Sequence, residues 1–171
     1  IRRLAHQKFT SDHVGQALEQ LKGSRGSLDP NSREARVIAV TARDYDKAVK
    51  VPADYVAEHA RVVSAAQHAW GRARSASDFA VFQPHLERIV DLKRRYVAFF
   101  PPADHPYDTL LDDYEPGMTT ADVNAIFGVL RQRQVALIRA LAERPAIDDS
   151  FLCTAYSEQS LWAFAVDVIT V

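Results

Sequence analysis

The chain has 171 residues, 47% apolar and 25% charged, with 21 Lys and Arg against 22 Asp and Glu for a formal net charge of −1. The near-balance of charge argues against electrostatic capture by nucleic acid or an anionic membrane, and no apolar run approaches the roughly 18 residues of a membrane span. A single cysteine, Cys153, excludes an intramolecular disulfide and any multi-cysteine zinc site, and no signal peptide opens the chain, so a cytoplasmic protein is expected.

The apolar periodicity is helical almost throughout, which predicts an all-α fold, a multi-helix array of long helices forming one domain over residues 1–171. Ile1, Leu4, Ala5 and Phe9 read as the last turns of a helix. Thr10 and Ser11 can cap a second, carrying Val14, Ala17, Leu18 and Leu21. The Gly-, Pro- and Ser-rich stretch from Gly23 to Ser32 predicts a loop, and Ser32 then caps a helix with Val37, Ile38, Thr41, Tyr45, Ala48 and Val49 along one stripe. Pro52 suits the first turn of the next helix, which runs through Tyr55, Val63 and Trp70 and ends near Gly71 to Ser75. Trp70 is expected to anchor the core. Ser77 and Asp78 mark a restart, and Pro84 begins a helix containing Leu86, Ile89, Val90, Tyr96 and Val97.

Three prolines keep Phe99 to Pro106 out of a helix. A short helix is expected over Tyr107 to Tyr114, stopped by Glu115 to Gly117. Thr119 and Asp122 form a Thr-x-x-acid capping pattern before the stripe Val123, Ile126, Phe127, Leu130, Leu137, Ile138 and Leu141, which Pro145 closes. Ser157 opens the last segment, whose β-branched residues leave helix and strand both open.

Composition and spacing assign no chemistry. None of the six histidines (His6, His13, His59, His68, His85, His105) is paired with another at i, i+4, so the two-histidine helix face of a zinc peptidase is missing; His6 and His13 read as surface or packing residues. The richest polar cluster is Asp104 to Gly117. Asp108 and Asp112 would share a helix face, with Asp113 and Glu115 close by, an arrangement suited to a hard cation. Equally, Asp108 can serve the helix dipole while Asp112 and Asp113 pair with Arg residues elsewhere.

"HPYDTLLDDYEPGMTTADVNAIF" (His105 to Phe127) resembles a signature stretch of the carboxypeptidase Taq family of HExxH metallocarboxypeptidases. "VPADYVAEHARVVSAAQHAWGRARSASDFAVFQPHLERIVDLKRRY" (Val51 to Tyr96) resembles the same family in register, as do "LAHQKFTSDHVGQALEQL" from Leu4 and "SEQSLWAFAVDVIT" from Ser157. The resemblance implies an almost entirely helical fold with a long groove closed at its base by a metal site. It also implies removal of single C-terminal residues from peptide substrates by metal-activated water. In that chemistry the two His of HExxH and a downstream Glu hold zinc or cobalt, and the motif Glu is the general base. These 171 residues contain no HExxH, so no catalytic or metal residue carries over. Tyr107, Asp108, Asp112, Tyr114 and Glu115 match the signature, in a structural or groove-lining role.

The chain is therefore expected to be a fragment from the N-terminal half of a larger metallocarboxypeptidase, a groove wall that is inactive alone and has no cofactor of its own. Both ends carry that expectation: Ile1 opens inside a helical pattern, and nine of the last eleven residues are apolar. An uncovered apolar end predicts a homodimer or other self-association. The alternative is a stand-alone helical binding or regulatory module without the chemistry.

Overall fold

Three of the helices begin where the sequence offers a side-chain oxygen to the first turn. The computed structural model describes residues 1–26, 28–145 and 147–170, and among them eight α-helices and no strand. These are α1 (Arg2–Phe9), α2 (Asp12–Arg25), α3 (Arg33–Ala48), α4 (Ala53–Ala76), α5 (Gln83–Val97), α6 (Pro106–Leu111), α7 (Thr120–Ala142) and α8 (Glu158–Ile169). Ser32 accepts from the Ala35 N–H at 3.2 Å and Ser157 from the Ser160 N–H at 3.1 Å. Thr119 and Asp122 form the reciprocal cap, the Asp122 N–H donating to the Thr119 hydroxyl at 3.2 Å and the Thr119 N–H to the Asp122 carboxylate at 3.0 Å. Asp78 accepts from the Ala80 N–H at 3.0 Å and opens a 3₁₀ turn, Phe79–Val81, before α5.

Three boundaries differ from the sequence expectation. α2 continues through Gly23 and Ser24, because a loop-favouring residue near a helix end costs too little to stop it. α4 runs to Ala76 and ends on Ser77 in the left-handed conformation (φ 51°). α6 stops at Leu111, since Asp112 turns its side chain to later backbone and to another helix instead of extending the turn. The last segment is helix α8, not a strand.

The chain divides into two compact units, Ile1–Val123 and Asn124–Val171. In the first, α4 packs against α1 and α5, α2 against α3, and α6 against α5. Its core is small: Leu18, Ala35, Ile38, Ala42, Tyr55, Ala66, Ala69, Ala73 and Leu92. Ala66, Ala69 and Ala73 share one stripe of α4, so neighbouring backbones approach closely. Leu92 is fully buried, and its carbonyl accepts from the Tyr55 hydroxyl at 2.9 Å, tying α4 to α5. Trp70 does not anchor this core. It is 48% exposed with the Arg74 guanidinium over its ring, because the buried stripe of α4 passes through Ala69 and Ala73 instead.

In the second unit no described side chain is fully buried. Phe127, Ile138, Trp162 and Phe164 all stand in the exposed class.

Candidate functional site

The signature segment is built around α6. His105 accepts from the Tyr107 N–H at 3.1 Å while the Asp108 carboxylate accepts from the His105 N–H at 3.2 Å, a reciprocal cap that starts the helix. The other Asp108 oxygen accepts from the Thr120 N–H at 2.7 Å and from the Thr120 hydroxyl. Asp108 thus joins the first turn of α6 to the first residue of α7. The Thr120 hydroxyl, above all, holds its carboxyl below the usual carboxylate range.

Asp112 is the hub of a second network. Lys47 donates to its carboxylate at 2.8 Å, Arg43 at 3.1 Å and the Gly117 N–H at 2.9 Å. Arg43 also donates to the Asp112 carbonyl at 2.6 Å. Gly117 closes this turn at φ +82°, where a side chain would be strained. The Lys47 hydrogen bond, first, and then the Gly117 N–H hold the Asp112 carboxyl far below its ordinary range. Burial alone would lower the pKa of Lys47, but its bonds to Asp112 and Asp113 leave it raised. Asp113 also accepts from the Tyr96 hydroxyl at 3.2 Å. Burial first, and the nearby Asp113 second, push that phenol well above its usual range.

Asp108 and Asp112, placed together by sequence spacing, therefore face different donors. Tyr107, Tyr114 and Glu115 are exposed. Among the described residues no group of three or more His, Cys, Asp or Glu side chains is placed to hold a metal, so no step through a metal is assigned to them.

Next to the Lys47 network lies a cleft of about 370 Å³ between α1, α3, α4 and α5. His6 and His59, Lys93, Tyr55 and Tyr96 line it. His6 donates through Nε2 to the Val51 carbonyl at 2.8 Å, which fixes its ring. His59 sits beside Tyr55 with ring centroids 6.0 Å apart, and burial first, then the charges of Lys93 and Arg2, push its pKa down. Sequence reasoning did not single out His59 or Lys93. They lie on separate helices, and only the packing of α4 on α5 brings them to one cleft.

An almost entirely helical fold is what the resemblance implied, and comparison with known proteins agrees. The chain belongs to the carboxypeptidase Taq (M32) metallopeptidases, whose family model matches residues 1–171. It is 28% identical to carboxypeptidase 1 of Bacillus subtilis over 153 residues, 88% of this chain and 30% of that protein. It is 32% identical to thermostable carboxypeptidase 1 of Thermus thermophilus over 178 residues, 98% of this chain and 35% of that protein. The crystal structure of BsuCP shares the fold with a TM-score of 0.87 at 24% identity, over 98% of this chain and 34% of that one. The chain thus spans about a third of the length of the relatives it matches.

Proposed function

We propose that these 171 residues supply scaffold and groove wall to a metal-dependent carboxypeptidase that releases C-terminal amino acids from peptides. The observation that carries this reading is the family match along residues 1–171, set against a coverage of about a third of each relative. The zinc- or cobalt-holding His and Glu residues, with the general base, would lie outside this stretch. Alone the chain would then hydrolyse no peptide. The pinned α6 segment, with Tyr107, Tyr114 and Glu115 exposed, would present its signature residues to the groove or to neighbouring scaffold.

The same reading gives the exposed apolar faces of α7 and α8 a purpose. Phe127, Ile138, Trp162 and Phe164 would be covered by further helices of the enzyme, and without them by a second copy of the chain. No helix among the described residues is long and apolar enough to cross a membrane. A cytoplasmic location remains part of this proposal.

The test compares the 171-residue chain with a version joined to an HExxH-bearing remainder from a relative of the family. Both are assayed on a blocked dipeptide with and without a chelator, and both are sized by light scattering. Chelator-sensitive turnover by the longer protein alone is the expected result. Turnover by the 171-residue chain would overturn the reading, and a monodisperse monomer that binds no hydrophobic dye would favour a self-contained binding module.

A further inference from the structure

The hydrogen bond that starts α6 has a titratable acceptor. The Tyr107 N–H donates to His105 Nδ1 at 3.1 Å, and the residue between them, Pro106, has no N–H of its own. An imidazole nitrogen has one lone pair in the ring plane, so Nδ1 can accept the amide hydrogen or carry a proton, never both. We propose that His105 is a proton-operated cap: the neutral ring closes the first turn of α6, and the imidazolium opens it.

The geometry fixes the neutral tautomer, because a bare Nδ1 leaves the ring hydrogen on Nε2. Protonation turns the acceptor into a second N–H facing that of Tyr107, and it places positive charge where the first amides of the helix already point. The Asp108 carboxylate offers the imidazolium another partner. One of its oxygens takes the His105 N–H at 3.2 Å while the other takes the Thr120 N–H at 2.7 Å. Acid therefore draws the ring from the Tyr107 amide toward Asp108. His105 is exposed, so the proton reaches it from solvent without any opening of the fold. A capping Ser, Thr or Asn would have no such transition.

The carboxylates that bond this segment stay ionised over the range in which an imidazole titrates. Asp108 is held below the usual carboxylate range, above all by the Thr120 hydroxyl. Asp112 at the far end of α6 and Asp122 in the first turn of α7 are held low too, first by Lys47 and first by Thr119 respectively. On α5, which packs against α6, Arg94 pairs with Asp91, Arg95 and Arg88 with Glu58 of α4, Lys93 lies over the Tyr96 ring and Tyr96 donates to Asp113. His85 also lies on α5, and Asp104, exposed, precedes His105 in the chain. Asp112 keeps Lys47, Arg43 and the Gly117 N–H in acid, so the opening is polar: the Tyr107 end of α6 is freed while the Leu111 end stays pinned.

The experiment is NMR on the isotope-labelled chain between pH 8 and pH 5. A nitrogen–nitrogen coupling across the hydrogen bond from the Tyr107 amide to His105 Nδ1 should be present at pH 8 and lost at pH 5, with the midpoint of the His105 ring titration. The helical Cα shifts of Tyr107 and Asp108 should weaken over the same interval, the equilibrium for closing the turn falling about fivefold, as for the loss of one neutral hydrogen bond. The Gly117 amide, bonded to Asp112, should hold its position. His105→Asn caps through an amide oxygen at any pH and should keep those Cα shifts constant, although every other histidine still titrates. His105→Ala should show the weakened shifts at both ends of the range, and Asp104→Asn should leave the wild-type transition intact. Absence of the coupling at pH 8 would overturn the proposal. So would α6 shifts that ignore pH in the wild type, that change equally in His105→Asn, or that lose their pH dependence in Asp104→Asn.

Discussion

Lys47 on α3 and Asp112 at the end of α6 meet with Nζ 2.8 Å from Oδ2, although 65 residues separate them in the chain. Asp112 also takes Arg43 and the Gly117 N–H, so this contact fixes both where α6 ends and which helix it lies against. The Asp112 side chain is about a third exposed, and solvent screening limits what the pair contributes.

Replacing Lys47 by Met should cost about 1 kcal/mol at neutral pH. Asp112 is held below its ordinary pKa, so its contribution is present above the unfolded value, about pH 3.9, and lost as pH falls further. The gap in urea midpoint between wild type and Lys47→Met should therefore close between pH 5 and pH 2. A gap that stays constant over that interval would show that Lys47 acts through packing.

Leu92 carries the largest fully buried side chain, and Leu92→Ala should cost about 3 kcal/mol in chemical denaturation. Tyr55→Phe removes only the hydroxyl that donates to the Leu92 carbonyl and should cost about 1 kcal/mol. Equal costs would mean that the hydrogen bond, not the apolar packing, holds α5 on α4.

The Thr119 cap and the Asp108–Thr120 link act at adjacent residues on different partners. Thr119→Ala should cost about 1 kcal/mol through lost capping. Thr120→Val should instead speed amide exchange at residue 120, whose N–H donates to Asp108, while leaving the Thr119 cap in place. If the two variants gave the same exchange pattern, the links would be a single cooperative unit.

Gly15 faces Tyr45 so closely that an added Cβ would fall 2.5 Å from its hydroxyl. The gain in helix propensity from Gly15→Ala, about 1 kcal/mol, should be outweighed by displacement of Tyr45 from its edge contact with Phe9. Combining the change with Tyr45→Phe should recover part of the loss, which a double-mutant cycle on thermal midpoints would measure.

Much of the helical layout is legible in the sequence because capping chemistry is local. Ser32, Thr119 and Ser157 each place a side-chain oxygen within three residues of the amide it serves. Contacts across the fold are not local. Nothing near Asp112 in sequence announces Arg43 and Lys47, and nothing near His59 announces Lys93. Trp70 shows the same limit in reverse: its size suggested a buried anchor, yet the buried face of α4 runs through the small residues Ala66, Ala69 and Ala73. The signature residues Asp108 and Asp112 were recognisable as a cluster, but their separate partners depend on how α3 and α7 approach α6.

The alanine stripe of α4 also shapes which sequences this fold can accept. Trimming Ala69 to Gly costs about 1 kcal/mol of helix propensity, whereas Val or Leu finds no spare volume around this fully enclosed position. Bulk fits instead on the opposite side of α4, where residues such as Trp70 meet solvent, and on the partner helices that supply the volume the stripe lacks.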